Sequence, residues 1–150
     1  MKNIFEPTVV ASLENRIQQL TATTNPIWGT MNVSQMLAHC NVTYELVYED
    51  KHAKPKGLKK WLLKTFVKKI VVSEKKYTKN GRTAPVFIMA NDKDFEIEKS
   101  RLIKFIHKTQ ELGGNHFNGR ESHSFGTLTQ EEWNNMFYKH LDHHLTQFSV

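Results

Sequence analysis

The sequence predicts an all-α fold, a four-helix bundle in which a long, basic crossover joins the second helix to the third. Three observations point there. Four stretches repeat apolar residues at intervals of three and four, helix-start signatures open two of them, and no stretch alternates convincingly as a strand would. At 150 residues and 39% hydrophobic content, the chain has the size of one domain, residues 1–150, with a core of its own.

The first helix is expected over roughly Pro7 to Thr21, with Val10, Leu13, Ile17 and Leu20 on one face. Asn25 and Pro26 stop it, and the loop "NPIWGT" follows. A second helix begins near Asn32, which can cap it while Gln35 completes a capping box, and runs to about Tyr48 through Val33, Met36, Leu37, Cys40, Tyr44 and Val47. The third spans roughly Asp92 to Leu112, with acids in its first turn, lysines later and Gly113 and Gly114 at its end. The last starts at Thr129, where "TQEE" reads as a capping box, and carries Trp133, Met136, Phe137, Leu141 and Phe148. Trp28 and Trp133 read as anchors of loop and core.

More than 40 residues separate the second and third helices, which permits a crossover. Within it, "GLKKWLLKTFVKKIVV" puts Leu58, Trp61, Leu62, Phe66 and Ile70 on one face and lysines around the other. The expectation is that this helix packs its apolar face on the bundle and solvates its lysines. A basic amphipathic helix that binds a membrane or phosphate backbones is the competing reading, so neither nucleic acid nor membrane is an expected partner. "PVFIMAND", residues 85–92, reads as an extended piece feeding the third helix.

Charge is concentrated in that crossover. The net charge is +6, yet twelve of the 21 basic residues lie between Lys51 and Arg82 against one acid, Glu74. The remaining nine basic and fourteen acidic residues make the rest mildly acidic, so basicity belongs to one insert. No run of about 18 apolar residues spans a bilayer, and Glu6, Glu14 and Arg16 interrupt any leader-like stretch at the start, so a cytoplasmic protein is expected. One cysteine, Cys40, excludes an internal disulfide and a four-cysteine zinc site.

The chemistry sits in "HLDHHLTQF", residues 140–148. His140 and His144 lie about 40° apart around a helix and one turn apart along it, within about 40° of Trp133, Met136 and Gln147, so the pair belongs to the core-facing stripe. His143 is about 60° to one side and Asp142 points nearly opposite. A histidine pair spaced by four offers two nitrogens to one divalent ion. A third ligand must come from elsewhere. His39 is the best candidate, because it lies inside a predicted helix at the edge of its apolar sector, whereas His52, His107, His116 and His123 lie near loops or on a charged helix. Cys40 is about 100° from His39 and reads as a core residue. Hydrogen-bonded core histidines and a surface pair stay open as alternatives. Three imidazoles would leave a coordination position for water, a thiol or a carbonyl oxygen, while no "HExxH" glutamate supplies a peptidase base. Thr43, His143 and Gln147 are candidates for orienting the ligands or touching substrate.

"WGTMNVSQMLAHC" at 28–40 and "FGTLTQEEWNNMFYKHLDHHLTQF" at 125–148 together resemble the DinB-like superfamily, close to its DUF1569-type branch. The likeness lies in a tryptophan loop leading into a helix with "MLAH" and a final helix with histidines spaced by four and a glutamine after them. It implies a bundle of four helices with a crossover between the second and third, often a homodimer. It also implies a divalent metal, usually zinc or nickel, on His39, His140 and His144. Characterised relatives use the metal to activate a low-molecular-weight thiol for transfer or isomerisation, and others are taken as hydrolases. The resemblance therefore implies a small-molecule enzyme, first a thiol transferase and next a metal-dependent hydrolase, with a non-catalytic metal- or ligand-binding stress protein as the reading from another class.

Overall fold

The computed structural model describes residues 1–150, and the chain is mainly helical with one very short two-stranded sheet. Helix α1 covers Pro7–Gln18, with proline in the first turn, where its missing N–H costs nothing. It stops three residues short of the expected end because Gln19 and Leu20 tighten into i→i+3 bonds to Arg16 and Ile17, which still buries Leu20. Helix α2, Val33–Tyr48, starts on a complete capping box between Asn32 and Gln35. Every residue from Met36 to Glu45 is buried, polar ones included, so α2 is the central element. Its polar groups need internal partners. Asn41 donates to Glu98, and Glu45 binds Lys51, His52 and Arg101. Those three partners lower the Glu45 pKa despite the opposing effect of burial.

Helix α5, Phe95–Phe117, is capped by Asp94 rather than beginning at Asp92. Gly113, with φ of 72°, breaks it where the sequence placed the end, but the chain re-enters a helical turn afterwards because Phe117 is drawn into the core. A hairpin, β1 Glu121–Ser122 with β2 Gly126–Thr127, then turns the chain into α6, Gln130–Gln147, opened by the capping box of Thr129 and Glu132. This sheet is absent from the sequence reading because two residues per strand cannot display alternation.

A single cluster of 23 buried residues joins α1, α2, α5 and α6. At its centre Tyr44, Phe137 and Trp133 stack in a chain, and Phe117 meets Trp133 tilted and Phe137 edge-on, with ring centroids 5.2 to 5.5 Å apart. Burying each such side chain stabilises the fold by about 1.5–3 kcal/mol.

The crossover departs from expectation. Helix α3, Gly57–Leu62, a π-helical turn, Leu63–Val67, and helix α4, Lys68–Val72, follow without interruption. The face expected to pack, Leu58, Trp61, Leu62, Phe66 and Ile70, is exposed. Leu63, Val67, Val71 and Val72 turn inward instead, and the inward lysines have partners on the body, Lys60 with Glu121 and Lys68 with Glu132. The buried Lys139 of α6 donates to the carbonyls of Ile70 and Ser73, closing the C-terminal end of α4. This segment carries two apolar stripes, and the aliphatic one wins because these polar contacts come with it. Further on, Pro85–Phe87 forms a 3-10 turn led by its proline, and extended backbone resumes only at Ile88. No helix is long and apolar enough to cross a membrane.

Candidate metal centre

Helix α2 presents His39 to α6, which presents His140 and His144 one turn apart. One ring nitrogen from each lies within 4.8 Å of the other two. His39 and His144 are buried and His140 is partly so. The fold brings together the pair that spacing placed on one face, His140 and His144, and the separately proposed third candidate, His39.

The other nitrogen of each ring is engaged. Nδ1 of His39 is 2.9 Å from the Phe87 carbonyl, Nδ1 of His140 is 2.9 Å from Thr43 Oγ1, and Nδ1 of His144 is 2.8 Å from Gln147 Oε1. A carbonyl and an amide oxygen only accept, so His39 and His144 donate from Nδ1, and their Nε2 atoms carry lone pairs. Gln147 cannot turn its amide over, since its Nε2 donates 2.7 Å to the Trp28 carbonyl. Nε2 of His39 faces Nε2 of His140 at 2.9 Å. Two facing lone pairs repel unless a cation lies between them. Thr43 resolves this, because a hydroxyl can donate or accept. When it donates to His140 Nδ1, His140 donates from Nε2 to His39. When it accepts, all three Nε2 lone pairs are available to one cation.

Electrostatics keep the rings neutral. Burial lowers the pKa of His39, with the nearby His143 adding and the Phe87 carbonyl opposing. His140 is held well below the ordinary imidazole range by burial and by its three histidine neighbours. Burial and His39 bring His144 down to about 3, against the opposing bond to Gln147. Neutral imidazoles are the ligating form, so these three can hold a metal ion at neutral pH without first losing protons. The donor set fits: three nitrogens, outer hydrogen bonds on every ring, and no carboxylate or thiolate in the cluster. Cys40 stays outside it, buried against Met36 with its thiol pKa pushed up by desolvation.

Thr43 and Gln147 thus orient the imidazoles of His140 and His144. His143 lies beside the cluster, its ring 5.0 Å from His144, 5.8 Å from Trp28 and 5.6 Å from Tyr77. Sequence reasoning missed Tyr77 and Phe87, which cover the histidines from the crossover. Phe87 acts through its backbone carbonyl, which no side-chain pattern reveals. It missed Gly29 as well. A Cβ there would stand 2.5 Å from Gln147 Nε2, and φ is +83°. Gly29→Ala should therefore displace Gln147, free His144 to rotate and weaken divalent-ion affinity about 10- to 100-fold, as loss of an outer partner does elsewhere. Competition with a chromophoric chelator reads this, with Gln147→Leu as the companion variant that leaves the loop backbone untouched. Unchanged affinity in both would mean that Gln147 does not position His144.

No curated protein and no solved structure matches the chain. Residues 8–150, which include all three histidines and the residues that orient them, match the DUF1569 family, described as a protein of unknown function. The chain belongs to the DUF1569 family.

Proposed function

We propose that the protein is a DinB-like four-helix bundle, formed by α1, α2, α5 and α6, that uses His39, His140 and His144 to hold one zinc or nickel ion for small-molecule chemistry, the transfer of a low-molecular-weight thiol. The observation that carries this reading is the convergence of three neutral imidazoles whose outer nitrogens are all tied down. Bound there, the ion supplies the Lewis acidity that lowers the pKa of a thiol or of water. Three protein ligands leave room for such a group.

The chain's own residues have definable parts. Thr43 holds the His140 ring while serving either of its tautomers, Gln147 fixes the tautomer of His144, and the Phe87 carbonyl fixes that of His39. Tyr77 and Phe87 shield the rings from solvent, and His143 is the nearest further group able to take or give a proton. No carboxylate base belongs to the cluster, which favours a thiol over water as nucleophile. A thiol starts near pKa 8.5, about seven units closer to neutrality than water, and needs less help to ionise.

The test is a panel of thiols (glutathione, cysteine, coenzyme A) with a chromogenic electrophile, run beside a chromogenic ester, on metal-loaded protein. Metal-dependent thiol consumption that disappears in His140→Ala is expected. Ester cleavage alone would move the reading to hydrolysis, and no metal-dependent turnover with any substrate would leave a metal-binding protein without thiol chemistry.

A further inference from the structure

The crossover helix carries a surface that the rest of the molecule does not use. Leu58 is 72% exposed, Phe66 and Ile70 61%, Trp61 55% and Leu62 42%. These are not scattered side chains. Trp61 and Phe66 meet edge to face at 6.1 Å. Leu58, Leu62, Phe66 and Ile70 recur every four residues, a spacing that drifts about 40° per step around an α-helix. The π-helical turn at Leu63–Val67 has the wider turn that takes up this drift, keeping the last two in line with the first two. A contiguous apolar stripe of this kind on a folded protein marks a contact surface.

The stripe is rimmed by cations. Lys54, Lys56 and Lys59 are exposed beside its N-terminal half with no carboxylate partner, whereas Lys60, Lys64, Lys68 and Lys69 turn toward the body, Lys60 and Lys68 paired with Glu121 and Glu132, Lys64 against Gly126 and Lys69 in a groove with Glu131 and Glu132. An occupant must therefore be apolar where it meets the stripe and anionic where it meets the rim. A second copy of this face would bring two lysine rims together, which like-charge repulsion opposes. Nucleic acid would engage the lysines and leave five large apolar side chains in water.

We propose that this face seats on an anionic lipid surface, with the apolar side chains at the headgroup–acyl boundary and the lysines among the phosphates. The helical run of Gly57–Leu62, Leu63–Val67 and Lys68–Val72 is about 24 Å long and lies along the surface of the protein, as an interfacial helix must. The contact is peripheral, since no helix of the chain can cross a membrane.

Co-sedimentation of the full chain with phosphatidylcholine vesicles, with and without phosphatidylglycerol, tests it. Binding is expected only with phosphatidylglycerol, weakening as salt rises, and accompanied by a blue shift of tryptophan emission that Trp61→Phe abolishes. Trp61→Ser combined with Phe66→Ser should weaken binding at least about tenfold, since interfacial affinity scales with buried apolar area. Lys54→Gln, Lys56→Gln and Lys59→Gln together should weaken it most at low salt. All five positions are exposed, so the thermal midpoint should hold. Absence of binding to anionic vesicles overturns the proposal. So does a solution dimer that the Trp61→Ser, Phe66→Ser variant dissociates while vesicle binding is absent, or binding that survives the apolar substitutions and extends equally to DNA.

Discussion

His140→Ala should lower affinity for Zn²⁺ by well over the roughly 100-fold that loss of an outer-sphere partner costs, because it removes a ligand rather than its orientation. His140 is the pivot of the cluster. Its Nε2 faces that of His39, its ring lies 4.8 Å from that of His144, and Thr43 holds its far side. Removing it leaves two nitrogens and an unfilled space between α2 and α6. His39→Ala and His144→Ala should behave alike. Thr43→Val should fall between these and wild type, since the ring keeps its place and loses only the hydroxyl that accepts from Nδ1 when Nε2 is free to ligate. Isothermal titration with Zn²⁺ reads all four. A series in which Thr43→Val is as damaging as His140→Ala would mean that Thr43 acts on packing and not on the imidazole.

The second large effect is acid sensitivity of the metal-free protein. In the unfolded chain a histidine titrates near 6.5, whereas His144 in the fold titrates near 3, and His39 and His140 are shifted in the same direction. The unfolded state therefore binds more protons once pH falls below 6.5, and stability must fall with pH, each histidine contributing up to about 1.4 kcal/mol per pH unit until its folded value is reached. Between pH 6.5 and 5, His144 alone should cost about 2 kcal/mol, with His39 and His140 adding to it. That window lies above the carboxylate range, so urea midpoints measured across it report the histidines. His140→Ala should flatten the slope. A midpoint independent of pH from 7 to 5 would mean that the cluster is protonated or solvated in the fold. Saturating Zn²⁺ should raise stability at pH 7 by mass action and should lose that advantage as protons compete for the ligands.

Much of this was legible in the sequence, for identifiable reasons. Asn32 with Gln35 and Thr129 with Glu132 announced two helix starts because capping boxes are local chemistry. Val10, Leu13, Ile17 and Leu20 announced the inner face of α1 because helical geometry maps spacing onto direction. The same mapping put His140 and His144 on one face, and His39 was singled out because it lies within a helix at the edge of its apolar sector, whereas His52, His107, His116 and His123 lie near loops or on a charged helix. The crossover was misread because Leu58–Ile70 and Leu63–Val71 are both apolar stripes at helical spacing, and the choice between them depends on Glu121, Glu132 and Lys139, which are distant in sequence. Phe87, Tyr77 and Gly29 were invisible for a related cause. One acts through a carbonyl, one through a ring delivered by an irregular segment, and one by lacking a Cβ where Gln147 passes.

The central claim is that three histidines, and no cysteine or carboxylate, form one divalent-ion site. Titration of the metal-free protein with Co²⁺, followed by visible absorption, tests it most directly. The account predicts saturation at one equivalent per chain, ligand-field bands of a nitrogen-coordinated ion, no thiolate charge-transfer band from Cys40, and loss of the signal in each of the three alanine variants. Failure to saturate, a thiolate band, or a spectrum that survives His140→Ala would contradict it.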